Sequence, residues 1–172
     1  MILLQTTMNI PPVEIVPFEA IHQQGIDLLF KAIEEEYSEQ VFSDPSKTIT
    51  ELSRSGNRIY WVALANGIVI GTAGIIILND NCCGLKSMFL AKEFRGDKRD
   101  ISKRLLQTAI NGAIERGCNS MYLGTMEQFK AAQRFYEKNG FVQITGEELP
   151  DDFPANTVDT IFYKKTLNII VN

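Results

Sequence analysis

The stretch from Cys82 to Phe141 constrains the fold more than any other part of the chain. At its centre the apolar run Met88-Phe89-Leu90 gives way to a basic loop that opens directly into a helix pattern. Leu105, Leu106, Ala109, Ile110, Ala113 and Ile114 recur at helical spacing, and Gly117 ends the run. A loop placed between strand and helix offers free backbone N–H groups and the positive end of a helix dipole, the two things a phosphate needs. From Lys92 to Arg104 there are six basic residues (Lys92, Arg95, Lys98, Arg99, Lys103, Arg104) and three acids (Glu93, Asp97, Asp100), inside a chain whose formal net charge is -4. A basic patch on an acidic protein suggests one particular anion as ligand. A solvated loop that keeps the protein soluble is the competing reading.

The rest of the chain surrounds this unit with alternating elements. Val13 to Val16 is a short strand between prolines, and Ile26, Leu29, Phe30, Ile33 and Tyr37 mark one face of a helix. Glu34-Glu35-Glu36 closes that helix, where acids oppose the dipole. They read as a solvated end or as a rim that binds an amine. Ser43-Asp44-Pro45 is a turn, and Thr48 to Leu52 a second helix stopped near Ser55-Gly56. Arg58 to Ala65 and Ile68 to Leu78 are strands joined by Asn66-Gly67, a type I′ hairpin signal. Gly71 and Gly74 inside the second mark a bulge or a close approach. After Asn79-Asp80-Asn81 comes a third strand, Cys82 to Leu90. Ser120 to Thr125 is a buried strand that must run parallel to it, since a helix connects them. Ala132 to Lys138 is a helix, and Phe141 to Thr145 with Thr160 to Leu167 a closing strand pair. Between them Gly146 to Asp159 is long and acidic, and long loops in compact domains are often functional. Residues 168–172 read as a tail.

Bulk properties narrow the class. A length of 172 residues predicts a single domain spanning 1–172 with a real core. No apolar run approaches the roughly 18 residues of a membrane span, and Met1-Ile2-Leu3-Leu4 is too short and lacks the basic flank of a signal peptide. Three cysteines, Cys82, Cys83 and Cys118, make no disulfide framework, so a cytoplasmic location is expected. A pI near 5.1 argues against nucleic acid as the main partner. His22 is the lone histidine and reads as a surface residue.

The segment Ala132, Tyr136, Gly140, Phe141, a helix stopped by Asn-Gly and followed by a strand, joins with Arg95-Gly96 and the helix after it. Together they resemble the GNAT superfamily of acyl-CoA-dependent N-acyltransferases. The usual ending Ala-x-x-x-Tyr-x-x-x-Gly-Phe is present, while the usual loop Arg/Gln-x-x-Gly-x-Gly/Ala is only partly so. Leu105-Leu106 come two residues late, and Asp100 and Ser102 stand where small residues are common. The core resemblance covers about residues 82–141.

That resemblance implies an α/β (α+β) fold: a mixed, mostly antiparallel central sheet of about seven strands with a splayed parallel pair, flanked by about four helices. It implies acetyl-CoA as co-substrate, its pantetheine along the backbone of Phe89 and Leu90, its pyrophosphate at Arg95, Gly96, Arg99, Asp100, Ile101 and Ser102. Gly96, lacking a Cβ, lets oxygen atoms come close. The implied reaction is direct attack of a primary amine, from a small molecule or a protein, on the thioester. A backbone N–H near Leu90 would serve the oxyanion, and Tyr136 would be the acid toward the thiolate. Where the family often carries a strand glutamate this chain has Gly84, and Phe129 replaces a frequent asparagine. Base duty therefore falls elsewhere, with Glu34, Glu35 and Glu36 as candidates. The acids Glu147, Glu148, Asp151, Asp152 and Asp159 suit a cationic amine. A non-catalytic acyl-CoA-binding module is the alternative. No metal, nucleic-acid or membrane partner is expected, and a homodimer stays open.

Overall fold

The computed structural model describes residues 11–37, 47–96 and 98–168. The expected turn at Ser43-Asp44-Pro45, the first residues and most of the expected tail lie outside these. One seven-stranded sheet runs in the order β1-β2-β3-β4-β5-β7-β6. Its strands are β1 (Val13–Pro17), β2 (Arg58–Ala65), β3 (Ile68–Ile77), β4 (Cys82–Leu90), β5 (Ser120–Thr125), β6 (Val142–Ile144) and β7 (Ile161–Thr166). The helices are α1 (Gln23–Glu36), α2 (Ile49–Ser53), α3 (Ile101–Glu115) and α4 (Lys130–Lys138). β1 through β4 form an antiparallel meander, β4 and β5 are parallel, and β7 pairs antiparallel with both β5 and β6. The expected architecture is the one observed.

Local chemistry sets the boundaries. Thr48 caps α2, its side chain accepting from the Glu51 N–H while the Glu51 carboxylate accepts from the Thr48 N–H. Asn66 (φ 50) and Gly67 (φ 75) adopt the left-handed pair that a type I′ hairpin needs. Gly117, at φ 81, ends α3.

The sheet has two unlike faces. On one, α3 and α4 pack over Trp61, Ala73, Ile75, Cys83, Leu85, Met121 and Leu123. On the other, α1 and α2 cover Tyr60, Val62 and Val69. Further along that second face, Phe153 of the Gly146–Asp159 loop packs on Ile76, Leu78 and Tyr122. The glycines expected to mark close approaches do so. A Cβ on Gly74 would stand 2.4 Å from Tyr60 Cδ1, so the ring lies flat across the strand where a side chain would be.

Two features open the sheet at its centre. β4 pairs with β5 only at Cys82–Ser120, Cys83–Met121 and Gly84–Tyr122, and the strands then part. Beyond that point β4 is bulged. Phe89 faces Thr72 and Lys86 faces Gly74, so Ser87 and Met88 together oppose Ala73. Ser87 sits at φ +51, a conformation costing a non-glycine residue about 1–3 kcal/mol. The fully buried Thr72 hydroxyl donates to the Ser87 carbonyl at 2.6 Å and holds the bulge.

Gly74→Ala is expected to lower stability by about 1–3 kcal/mol, the usual cost of overpacking, read as a fall in the thermal midpoint. A variant as stable as the parent would mean that Tyr60 turns aside freely.

Candidate active site

The splay opens into a cavity of about 970 Å³. Its walls come from β4 (Leu85 to Leu90), from β5 and the residues after it (Leu123 to Met126), from α1 and α2, and from the end of the acidic loop. Phe89, Leu90, Arg95, Gly96, Ser102 and Tyr136 all line it. A smaller cavity of about 160 Å³ adjoins at the start of α3, lined by Gly96, Asp100, Ile101, Ser102 and Lys103 with Phe94 and Phe135. The first main-chain bond of α3 runs from Arg104 N–H to the Asp100 carbonyl. The N–H groups of Ile101, Ser102 and Lys103 therefore have no partner within the helix. Asp100 itself is left-handed at φ 49, and Gly96 at φ 69 has nothing within 4 Å of where a Cβ would stand.

Two arginines of the loop, Arg95 and Arg99, are held by protein groups. Arg95 grips Glu36 with both guanidinium nitrogens, one arm at 2.9 Å, and its Nε donates to the Leu90 carbonyl at 2.9 Å. Arg99 donates to the Pro11 carbonyl at 3.0 Å, stacks on the Phe94 ring and lines neither cavity. Arg95 lines the large cavity and Lys103 the smaller one. Glu36, read from sequence as a solvated end or an amine rim, is the anchor of Arg95.

Tyr136 is buried on the α4 side among Phe135, Phe141 and Tyr163. Its hydroxyl makes no hydrogen bond among the described residues. Yet no fully enclosed side-chain oxygen there lacks a partner, so the hydroxyl keeps its opening to the cavity. Burial, reinforced by the charge of Asp159, pushes the phenol above its ordinary pKa of 10.0 and keeps it protonated.

Gly84 has a structural cause. A Cβ there would lie 3.0 Å from both Ile76 Cγ2 and Phe153 Cε2, so the space a longer side chain would need is filled by the loop. Of the loop acids, Asp159 alone lines the cavity; Asp152 accepts from the Asn79 N–H at 2.8 Å, which clips the loop to the β3–β4 turn. Asp159 lies over Gly124, where a Cβ would meet its Oδ2 at 2.6 Å. Burial raises its pKa, against the opposing charge of Lys86 and a backbone hydrogen bond from Asn156. Lys86, unremarked in the sequence, donates to the Pro154 carbonyl at 2.6 Å and sits 4.5 Å from the Phe153 ring centroid. An isolated lysine in an otherwise apolar strand was the signal available for it. His22 accepts from the Glu19 N–H at 3.0 Å, a local turn role. The three thiols lie at the closed end of the splay, all with raised pKa, chiefly through burial. Among the described residues no cluster could hold a metal, and no helix is long and apolar enough to cross a membrane.

The Acetyltransferase (GNAT) family profile matches residues 26–141. This chain belongs to that family. It is 33% identical over 111 residues to a Xenopus tropicalis protein named "Probable N-acetyltransferase camello", covering 63% of this chain and 50% of the relative. The chain thus spans about half the length of the curated relatives it matches first. A GNAT-family acetyltransferase from Staphylococcus aureus Mu50 superposes with TM-score 0.79 at 29% identity, over 91% of this chain and all of that one. An N-acetyltransferase from Thermoplasma acidophilum in complex with coenzyme A shares the fold at TM-score 0.69 and 20% identity, covering 90% of this chain and 99% of that one.

Gly84→Glu is expected to destabilise the protein, because it drives a long side chain into space that Ile76 and Phe153 already fill. Adding Phe153→Ala should recover part of the loss, a coupling that a double-mutant cycle in thermal or denaturant unfolding will read. Strict additivity would show that Phe153 is not what fills the site.

Proposed function

We propose that the protein is an N-acetyltransferase that moves an acetyl group from acetyl-CoA to a primary amine by direct attack. The observation that carries this reading is Tyr136: a protonated hydroxyl without a protein partner, open to the gap between β4 and β5. A module that only bound the cofactor would have no use for such a donor. The gap fits the co-substrate in kind, since past Gly84 the β4 edge that faced β5 runs without its partner strand. The relative crystallised with coenzyme A supports the same assignment.

In this reading the Phe89 and Leu90 backbone holds the pantetheine, while Gly96 and the amides of Asp100, Ile101 and Ser102 hold the pyrophosphate. Arg95 and Arg99 brace that loop, through Glu36 and Pro11, and add positive charge behind it. Acetyl-CoA supplies an activated acyl carbonyl and a sulfur leaving group. A backbone N–H near Leu90 takes the oxyanion role, and Tyr136 donates its proton to the departing sulfur. The attacking amine must shed a proton, and with Gly84 in place of the usual glutamate that duty falls to a group outside β4.

Gly96→Val and Gly96→Asn are expected to weaken coenzyme A binding by about tenfold or more, equivalent to 1.4 kcal/mol. Asn tolerates a positive φ and Val does not, so a shared loss points to the added side chain and not to strain. Calorimetry giving parental affinity in a folded Gly96→Val protein would remove the phosphate assignment.

Tyr136→Phe keeps the ring and removes the hydroxyl. A general acid contributes about 10²–10⁴-fold, and a thiolate leaves readily, so kcat should fall toward the low end of that range with KM for acetyl-CoA little changed. Because the phenol's pKa is raised, its acid form persists past pH 10.0, and no phenol-linked loss of kcat is expected below that. Parental kcat in Tyr136→Phe, where chemistry limits the rate, would overturn the acid role. Tight coenzyme A binding without thiol release for any amine would favour the binding-module reading instead.

A further inference from the structure

The acceptor side of the cavity carries a charge pattern that the acetyl donor does not explain. Cross-strand register puts Arg58, Ile76 and Gly84 in one row and Tyr60, Gly74 and Lys86 in the next. Residues two apart on a strand share a face. Arg58 and Lys86 therefore stand on the face that α1, α2 and Phe153 cover, the face away from α3 and α4. Beside them the sheet carries two glycines, Gly74 under the Tyr60 ring and Gly84 under Ile76 and the Phe153 edge. Both cations line the large cavity. Arg58 makes no hydrogen bond or ion pair among the described residues. The two are near enough that Arg58 adds to the burial that lowers Lys86 to about 8, against the charge of Asp159.

Asp159 is the carboxylate whose charge reaches Lys86. Asp159 reaches across from β7's approach to lie over Gly124, on the same face and on the other side of the splay. Tyr122, which packs with Phe153 on this face, is two residues before Gly124 and fixes that parity. Asp159 and Lys86 feel each other's charge but form no direct ion pair. They flank the mouth of the splay, and Asp159 also acts on Tyr136 from across it. The cavity thus brings the cations Arg58 and Lys86 together with the Asp159 carboxylate, while its other acids, Asp27 and Glu34, come from α1.

We propose that the acceptor is an amine that bears its own carboxylate, as a free amino acid does. Its carboxylate lies on Arg58 and Lys86, and its ammonium on Asp159 at the mouth of the splay. This rests on the N-acetyltransferase reading and adds the substrate class to it. A half-buried pair of cations with no direct ion pair has donors to spare for a ligand carboxylate. Burial disfavours the charged form of Lys86, and a ligand carboxylate beside it favours that form again. Asp159 holds the ammonium and takes its proton, passing it to solvent, before the freed amine attacks the thioester carbonyl.

The test compares coenzyme A thiol release with three probes: a pool of free L-amino acids, the matching pool of L-amino acid amides, and a pool of alkylamines and polyamines. Amides have the less basic amine and carry more free base at neutral pH, so intrinsic reactivity favours them. The free acids are nevertheless expected to show kcat/KM about tenfold or more above the amides, the scale of one charged hydrogen bond. Arg58→Met and Lys86→Met should each shrink that acid-to-amide ratio, mainly through KM for the acid, and Lys86→Arg should restore part of it. Equal or faster turnover of amides, or a ratio unchanged in both Met variants, overturns the proposal. Thiol release with the alkylamine pool alone overturns it too but leaves the N-acetyltransferase reading standing. No release with any pool, while coenzyme A still binds, overturns it and leaves the N-acetyltransferase reading to an amine of a protein.

Discussion

Everything in this molecule turns on a parallel strand pair that is allowed to form and then prevented from continuing. β4 and β5 share three residue pairs before they part. A parallel edge left open exposes unpaired N–H and C=O groups, which is costly unless something answers them. The bulge at Ser87 and Met88 is what diverts β4, and the buried Thr72 hydroxyl bonded to the Ser87 carbonyl keeps the bulge in place. Without that bond the left-handed serine would relax toward ordinary pleating. The edge facing β5 would then have no reason to turn away.

Most of the architecture was legible because its signals are local. Asn66-Gly67 fixes a hairpin through backbone angles that few residues adopt, Gly117 ends a helix the same way, and the 3.6 period of Leu105 through Ile114 leaves no other element possible. β2, β4 and β5 have the bounds that their apolar runs suggest. The bulge was not legible, because it is centred on serine and not on glycine, so no composition cue marks it. The site was read in part. The cavity gathers Phe89, Leu90, Arg95, Gly96, Ser102 and Tyr136, as the family resemblance implies. The sequence placed Arg95 and Arg99 around the phosphate without showing their partners far along the chain, Glu36 and Pro11. Such pairings depend on tertiary packing and leave no trace in local spacing.

The loop from Gly146 to Asp159 shows how a missing side chain can be compensated from another part of the chain. Gly84 looked like a lost function when read alone. In the fold it is the seat of Phe153, and the ring that sits there carries Lys86 against it and brings Pro154 and Asp159 with it. The acids of the loop had suggested a fit to a cationic amine. In the fold they divide their work. Asp152 ties the loop to the Asn79 amide, Glu148 completes a cap with Thr145, and Asp159 alone turns inward.

The short β4–β5 joint also has a mechanical meaning. One plate of the sheet, β1 through β4, bears Arg58, Lys86 and the bulge. The other, β5, β7 and β6, bears Asp159 and packs with Tyr136. Along the sheet itself they meet like the boards of a book with a short spine, bound at Cys82–Gly84 and by the amide of Asn119 on the Asn81 carbonyl. A spine so near one end gives the free edges leverage. A molecule seated between the boards works as a second binding, stiffening the angle between them far more than its own size would suggest.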